Sequence, residues 1–206
     1  MELQNWFYLA TICFLGACSP GPSLLVVLGF VSTEGKRSGI SVSIGHGLGV
    51  FFYALLSTLG LSVLIVNYYL AFTVVQIIGA LFLIWIAFRI IINISSYNVE
   101  NDYYSKKIER KNRFFEGILV AILNPKIAVF FISLFSQFLS PDQTVFTHML
   151  MAVLAGGIDT VVYCVIVLFA STQKVSRLME KYKKQVSLIF GLLLILLAFS
   201  LFFSLV

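Results

Sequence analysis

The chain has 206 residues, of which 60% are hydrophobic and only 11% are charged, and its mean hydropathy is +1.00. A soluble domain is about half apolar and about a quarter charged, so this composition excludes an ordinary soluble domain and predicts an integral membrane protein. The net charge of +5 does not indicate a nucleic-acid partner. All but one of the 14 basic residues lie on one side of the membrane in the topology predicted below, which is the distribution expected of a membrane protein.

Six apolar stretches follow one another along the chain, and each is long enough to cross a bilayer as a helix. Their length and the scarcity of internal charge favour helices over the short, alternating strands of a membrane barrel. We therefore predict one all-α transmembrane domain, residues 1–206, with six transmembrane helices. The stretches cover about residues 5–31, 40–66, 69–92, 114–139, 146–171 and 187–205.

The first stretch contains the segment ACSPGPSLL, in which Pro20, Gly21 and Pro22 interrupt a helix near the middle of the membrane. Proline in a helix interior costs about 3 kcal/mol, and hydrocarbon offers no water to the freed backbone groups. Two interpretations stay open. The segment is either a proline kink that neighbouring helices satisfy, or the junction of two half-helices.

The second stretch contains GHGLGVFFYALL, residues 45–56, whose glycines allow tight helix packing. His46 lies in this segment about one turn on the cytoplasmic side of Gly49, so we expect it to be shallower than Asp159 of the fifth stretch. A histidine there can relay protons near neutral pH. It is equally compatible with a satisfied polar residue at the mouth of a cavity.

The fourth stretch contains ILNPKIAVF, which again places a proline near mid-span. Ser19 and Asn124 belong to residue types that cap helix N-termini, and Pro20 and Pro125 suit the first helical position. Half-helices that begin at these points would direct unpaired N–H groups and a positive dipole end into the protein centre, where an anion binds. Gly21 would let that ligand approach the backbone closely.

The fifth stretch contains AGGIDTVVYCVI, which overlies the glycine-rich segment of the second stretch after a shift of 110 positions. The two halves of the chain therefore share a broken helix followed by a helix with a glycine-rich start. Since three helices per half reverse the direction of entry, we predict an inverted-topology repeat, as in many secondary transporters. The repeats cover about residues 1–93 and 113–206, joined by a cytoplasmic loop of about residues 94–112.

Two ionisable residues lie deep in these helices: Asp159 near the centre of the fifth and Lys126 about 18 Å into the fourth. A charge at this depth costs about 3 kcal/mol or more, which makes such residues functional candidates. We expect the two to compensate one another, directly or through water. Glu116, three residues after Arg113, is expected to form a local ion pair or an interfacial charge.

The basic residues predict the topology. They occur in the first, third and fifth loops and are absent from the second loop, the fourth loop and both termini. The positive-inside rule makes the odd loops cytoplasmic. We therefore expect both termini to lie outside a bacterial cytoplasmic (inner) membrane.

The chain resembles the LysE/RhtB family of amino-acid exporters in several segments. These are SPGPS, GISVSIGHGLGVF, GILVAILNPKIAVFFISLFSQFLSP and IFGLLLIL, together with Asp159. The resemblance covers nearly the whole chain and implies an inner-membrane exporter of an amino acid or close derivative, driven by proton antiport. Asp159 and His46 are the expected proton-coupling residues. The expected substrate-binding residues are Ser19, Pro20, Gly21, Pro22, Ser23, Asn124, Pro125, Lys126 and Asp159.

Two rival functions remain. A metal-cation exporter would need a cluster of carboxylates or soft ligands at mid-depth, where Lys126 would repel a cation. An intramembrane enzyme could use Ser19 as nucleophile, His46 as base and Asp159 as third group, but no nucleophile motif is present. The expected partners are an amino acid, protons and membrane lipid, with no nucleic acid, cofactor or metal. A homodimer is compatible with the sequence, since six helices are few for a transporter.

Overall fold

The computed structural model describes residues 1–19, 21–92 and 112–170 and, with gaps, residues 181–199. The described residues are helical apart from short connections, and no strand occurs among them. Described residues between 181 and 199 are also helical. The helices with defined bounds are α1 (Leu3–Cys18), α2 (Pro22–Glu34), α3 (Lys36–Asn67), α4 (Tyr69–Ile92), α5 (Arg113–Ile122), α6 (Pro125–Phe135) and α7 (Val145–Ala170).

The helices are apolar enough for a multi-pass membrane protein. In the described ranges, α3 and α7 are each long enough to cross a membrane alone, and two bent helix pairs raise the number of candidate spans to four. α4 covers the third predicted stretch. The sixth stretch lies partly outside the described residues, and the loop at residues 94–112 lies almost wholly outside them. The inverted repeat of six transmembrane helices therefore stays a prediction.

Each bent pair meets at a proline-containing segment. α1 and α2 are inclined by 52°, and α5 and α6 by 63°. At the second bend the Asn124 side chain caps α6 as predicted, because its Oδ1 accepts a hydrogen bond from the Lys126 N–H at 3.0 Å. The hydroxyl of Tyr53 on α3 donates to the carbonyl of Ile122 at 2.5 Å, so a carbonyl at the end of α5 is paired.

The first bend differs from the prediction for Ser19. The backbone N–H of Ser19 still donates to Gly16 O at 3.2 Å, so this residue ends α1 instead of capping α2. The N-cap of α2 is Gly21, with φ −147° and ψ 175°, and Pro22 takes the first-turn position that the sequence predicted for Pro20. In a Pro-Gly-Pro segment either proline suits a helix start. Pro20 itself lies outside the described residues.

α3 packs between α5 and α7 at distances that only glycine permits. A Cβ on Gly45 would lie 1.9 Å from the backbone oxygen of Phe114 on α5. A Cβ on Gly47 would lie 1.8 Å from Thr160 Oγ1 and 2.8 Å from the Gly156 oxygen on α7. These two contacts fix the rotation of α3 and thereby the direction of His46, which lies between the two glycines.

Two apolar clusters of buried residues make up the described interior. The larger joins α1, α3, α4, α5, α6 and α7. The smaller surrounds α2, the start of α3 and the end of α7, and contains Ala17, Leu24, Val27, Val42, Val162, Tyr163 and Val167. The polar residues of the two bends and of mid-α3 and mid-α7 lie where the clusters meet. The fold thus places polar groups at the centre of an otherwise apolar bundle.

Candidate functional site

A cavity of about 60 Å³ lies at this central junction. At about 10–15 Å³ per water, it has room for roughly four to six water molecules, which suits a small solute. Seven of the ten predicted site residues line it: Ser19, Gly21, Ser23, His46, Asn124, Lys126 and Asp159. The other lining residues are Cys13, Gly16, Ala17, Val50, Ile127, Phe130, Phe131, Ala155 and Tyr163.

Asn124 connects the two helix bends. Its Nδ2 donates to the Ser23 hydroxyl at 2.7 Å, while its Oδ1 accepts from the N–H of Lys126. One amide therefore caps α6 and ties it to the first turn of α2, although the two residues are 101 positions apart. The sequence predicted the cap and placed both residues in the site. The bond between them depends on the tertiary structure.

The ammonium group of Lys126 lies beside the first bend. A Cβ added to Gly21 would be 3.4 Å from Lys126 Nζ, with the next closest atom, Ser19 O, at 3.8 Å. The Lys126 side chain therefore extends from α6 to the N-terminus of α2. The ammonium group and this helix N-terminus both present positive charge to the cavity. Because Gly21 has no side chain, a ligand can approach this backbone directly.

The carboxylate of Asp159 pairs with His46. His46 Nδ1 lies 2.7 Å from Asp159 Oδ2, and the side chains are only 1% and 9% exposed. The imidazole also stacks on the Tyr163 ring, with centroids 4.7 Å apart and planes inclined by 17°. The relative depth of His46 and Asp159 in the membrane stays a prediction. The sequence expected Lys126 and Asp159 to compensate one another, directly or through water, and it did not predict the contact between Asp159 and His46.

Two buried polar atoms that belong to cavity residues have no hydrogen-bond partner among the described residues: Ser19 Oγ and His46 Nε2. An ionised carboxylate only accepts hydrogen bonds. The contact between Asp159 Oδ2 and His46 Nδ1 therefore assigns the proton of a neutral His46 to Nδ1. Nε2 then carries a lone pair and accepts a hydrogen bond. A buried polar atom without a partner costs about 1–3 kcal/mol, which a ligand donor in the cavity would recover.

The same geometry bears on the two rival functions. The Asp–His half of a hydrolytic triad is present, but the serine–histidine hydrogen bond that activates a nucleophile is not formed, since Ser19 Oγ and His46 Nε2 are both unpartnered. Within the described ranges, no group of three or more His, Cys, Asp or Glu residues could hold a metal ion. Neither rival therefore gains support from the arrangement of these side chains.

Arg113 forms an ion-pair cluster away from the cavity. Its guanidinium pairs with Glu116 at 2.7 Å, which confirms the predicted local pair, and also with Glu34 at the end of α2. It lies over the Phe30 ring at 5.0 Å. The contact with Glu34 joins residues 79 positions apart and has no signal in the local sequence. Tyr163 was missed in the same way, although it overlies Tyr53 in the predicted repeat.

Comparison with known proteins places the chain in a family. Residues 14–205 match the family model described as LysE type translocator. An uncharacterized membrane protein of Vibrio cholerae is 25% identical over 181 residues, which are 86% of this chain and 84% of the relative. One from Haemophilus influenzae is 25% identical over 89% of both chains. The Escherichia coli membrane protein YahN is 27% identical over 64% of this chain and 59% of its own length. No solved structure matches.

Proposed function

The chain belongs to the LysE type translocator family, a family of membrane transporters, and we propose that it exports an amino acid or a close derivative across the cytoplasmic membrane in exchange for protons. The observation that carries this proposal is the charge arrangement of the cavity. Lys126 and the N-terminus of α2 present positive charge, while Asp159 presents its carboxylate through His46. A zwitterionic amino acid complements both charges, with its carboxylate at the positive groups and its ammonium at the His46–Asp159 pair.

The carboxylate of the substrate would bind at the helix bends. The first-turn N–H groups of α2 and α6 lack intrahelical partners, and one of those in α6 is taken by Asn124. The nearby ammonium of Lys126 and the unpartnered hydroxyl of Ser19 can each donate a hydrogen bond. Charge-assisted hydrogen bonds of this kind are roughly twice as strong as neutral ones.

The ammonium of the substrate would bind at His46. Nε2 accepts one of its hydrogen bonds, and Asp159 stabilises the positive charge through the bond at Nδ1. A proton from water can occupy the same lone pair, which gives an imidazolium beside an ionised carboxylate. Substrate and proton therefore exclude one another at Nε2. In this exchange, release of the amino acid outside is followed by protonation of His46 and return of the empty carrier.

Metabolite profiling tests the proposal. A strain that lacks the protein and is fed dipeptides should accumulate the exported amino acid inside the cell, and the wild-type gene should reverse the accumulation. A gene carrying Asp159→Asn should not reverse it at an equal protein level. If the amino-acid pools of the deletion strain equal those of the parent for every dipeptide supplied, amino-acid export is refuted.

The rival functions make different predictions in the same strain. A metal-cation exporter would change the tolerance of the strain to an added metal salt and leave the amino-acid pools unaltered. An enzyme would turn over its substrate in detergent solution, where an exporter has no second compartment and produces no net change. Growth with metal salts and incubation of the purified protein with the dipeptide-fed extract therefore separate the three functions.

A further inference from the structure

The cavity contains two chemically distinct parts. The bends and the His46–Asp159 pair form its polar part. The remaining wall is apolar and comes from α1, α3, α6 and α7, with no charged residue among its lining side chains: Cys13, Val50, Ile127, Phe130, Phe131 and Ala155. The proposed zwitterion uses the polar part with its carboxylate and ammonium. Its side chain must then contact the apolar wall.

From this division we infer that the transported amino acid is neutral and carries a small to medium-sized apolar side chain, and that Val50 on α3 limits the size of that side chain. The inference rests on the proposed amino-acid export and narrows it to one substrate class. Val50 is 2% exposed and lines the cavity. It follows His46 by four residues, so it lies one turn along the same helix face.

The charges of the cavity argue against charged side chains. Lys126 and Asp159 are the lining residues of opposite sign, and the two charged groups of any zwitterion already use them. A basic amino acid would bring a second cation, and the described lining residues offer no further carboxylate to pair it. An acidic amino acid would bring a second carboxylate into a cavity that already holds Asp159. An unpaired charge away from water is strongly unfavourable.

The volume of the cavity argues for a limited side chain. About 60 Å³ is shared between the polar groups of the ligand and its side chain. Phe131 packs edge-on against Phe130, with ring centroids 5.2 Å apart, and stacks on Phe135 at 5.5 Å, so this part of the wall is held in place. In such an apolar pocket one methylene changes discrimination by about tenfold or more. A smaller or larger side chain at position 50 should therefore change the size of the substrate side chain that the protein prefers.

Counterflow in proteoliposomes tests the substrate class without any proton gradient. Vesicles preloaded with unlabelled alanine, leucine, lysine or glutamate are diluted into the same labelled amino acid. We expect exchange of alanine and leucine at a rate at least tenfold above that of lysine and glutamate. Exchange of lysine or glutamate as fast as leucine overturns this inference and leaves amino-acid transport intact. If none of the four exchanges while the reconstituted protein is folded, this inference is overturned, and the amino-acid pools of the dipeptide-fed deletion strain decide whether the proposed function fails with it.

Variants at Val50 test the size limit. Val50→Ala should raise the ratio of leucine to alanine exchange by about tenfold, and Val50→Ile should lower it by about tenfold. The same substitutions at Val63, which lies on α3 but is 56% exposed, should leave the ratio within twofold of wild type. A ratio that moves by less than twofold in both Val50 variants, or that moves equally in the Val63 controls, overturns the role of Val50.

Discussion

Replacement of Asp159 by asparagine should separate substrate exchange from proton coupling. Asparagine keeps the size of the side chain and can still accept the Nδ1–H of His46, but it does not carry the charge that stabilises an imidazolium. A hydrogen bond to a charged group contributes about 1.5–3 kcal/mol. Solvent screens this contact little, because the two side chains are 1% and 9% exposed. A loss of about 2 kcal/mol corresponds to a change of about 30-fold in the equilibrium that this charge supports.

Two transport assays on the same proteoliposomes measure this difference. Export driven by an imposed pH gradient should fall about 30-fold in Asp159→Asn, and counterflow without a gradient should fall less, because substrate binding still has Nε2 and the helix bends. Asp142→Asn, in an exposed turn, is the matched control and should behave as wild type in both assays. If Asp159→Asn exports at the wild-type rate with the same pH dependence, the His46–Asp159 pair is structural and the reasoning is wrong.

Three further predictions concern the bends and the topology. Gly21→Ala places a Cβ 3.4 Å from Lys126 Nζ, where the substrate carboxylate would approach the backbone, and should weaken substrate binding in counterflow about tenfold. The control Gly29→Ala, whose Cβ would have no atom within 4 Å, should not weaken binding. Equal effects of the two substitutions would contradict a carboxylate site at this bend. Asn124→Ala removes a cap and a cross-bend hydrogen bond and should cost about 1–3 kcal/mol, measured as a lower midpoint of thermal unfolding in detergent; an unchanged midpoint would contradict this. Single cysteines at positions 2 and 206, in a background without native cysteines, should both react with an impermeant reagent in intact cells; protection of both would refute external termini.

Several properties of this protein follow from the sequence alone, because they are local. Apolar stretches and the cost of charge in hydrocarbon indicate a membrane protein and single out Asp159 and Lys126. Proline next to a capping residue predicts a helix start, as at Asn124 and Pro125, since helix starts depend on a few consecutive residues. Even here one detail was wrong: Ser19 ends α1, and Gly21 opens α2. A Pro-Gly-Pro segment offers two starts, and local sequence does not choose between them.

The pairing of the ionisable groups was decided by the tertiary structure. His46 and Asp159 are 113 positions apart, and their contact depends on the rotation of α3 against α7. That rotation is set by close backbone contacts, such as Gly47 against Gly156, which a helix periodicity does not reveal. The position of a residue along a helix can be counted from the sequence. The direction in which its side chain points depends on how neighbouring helices pack against that helix. For the same physical reason, the sequence singled out Asp159 and His46 separately, and only the fold showed that their side chains are in contact.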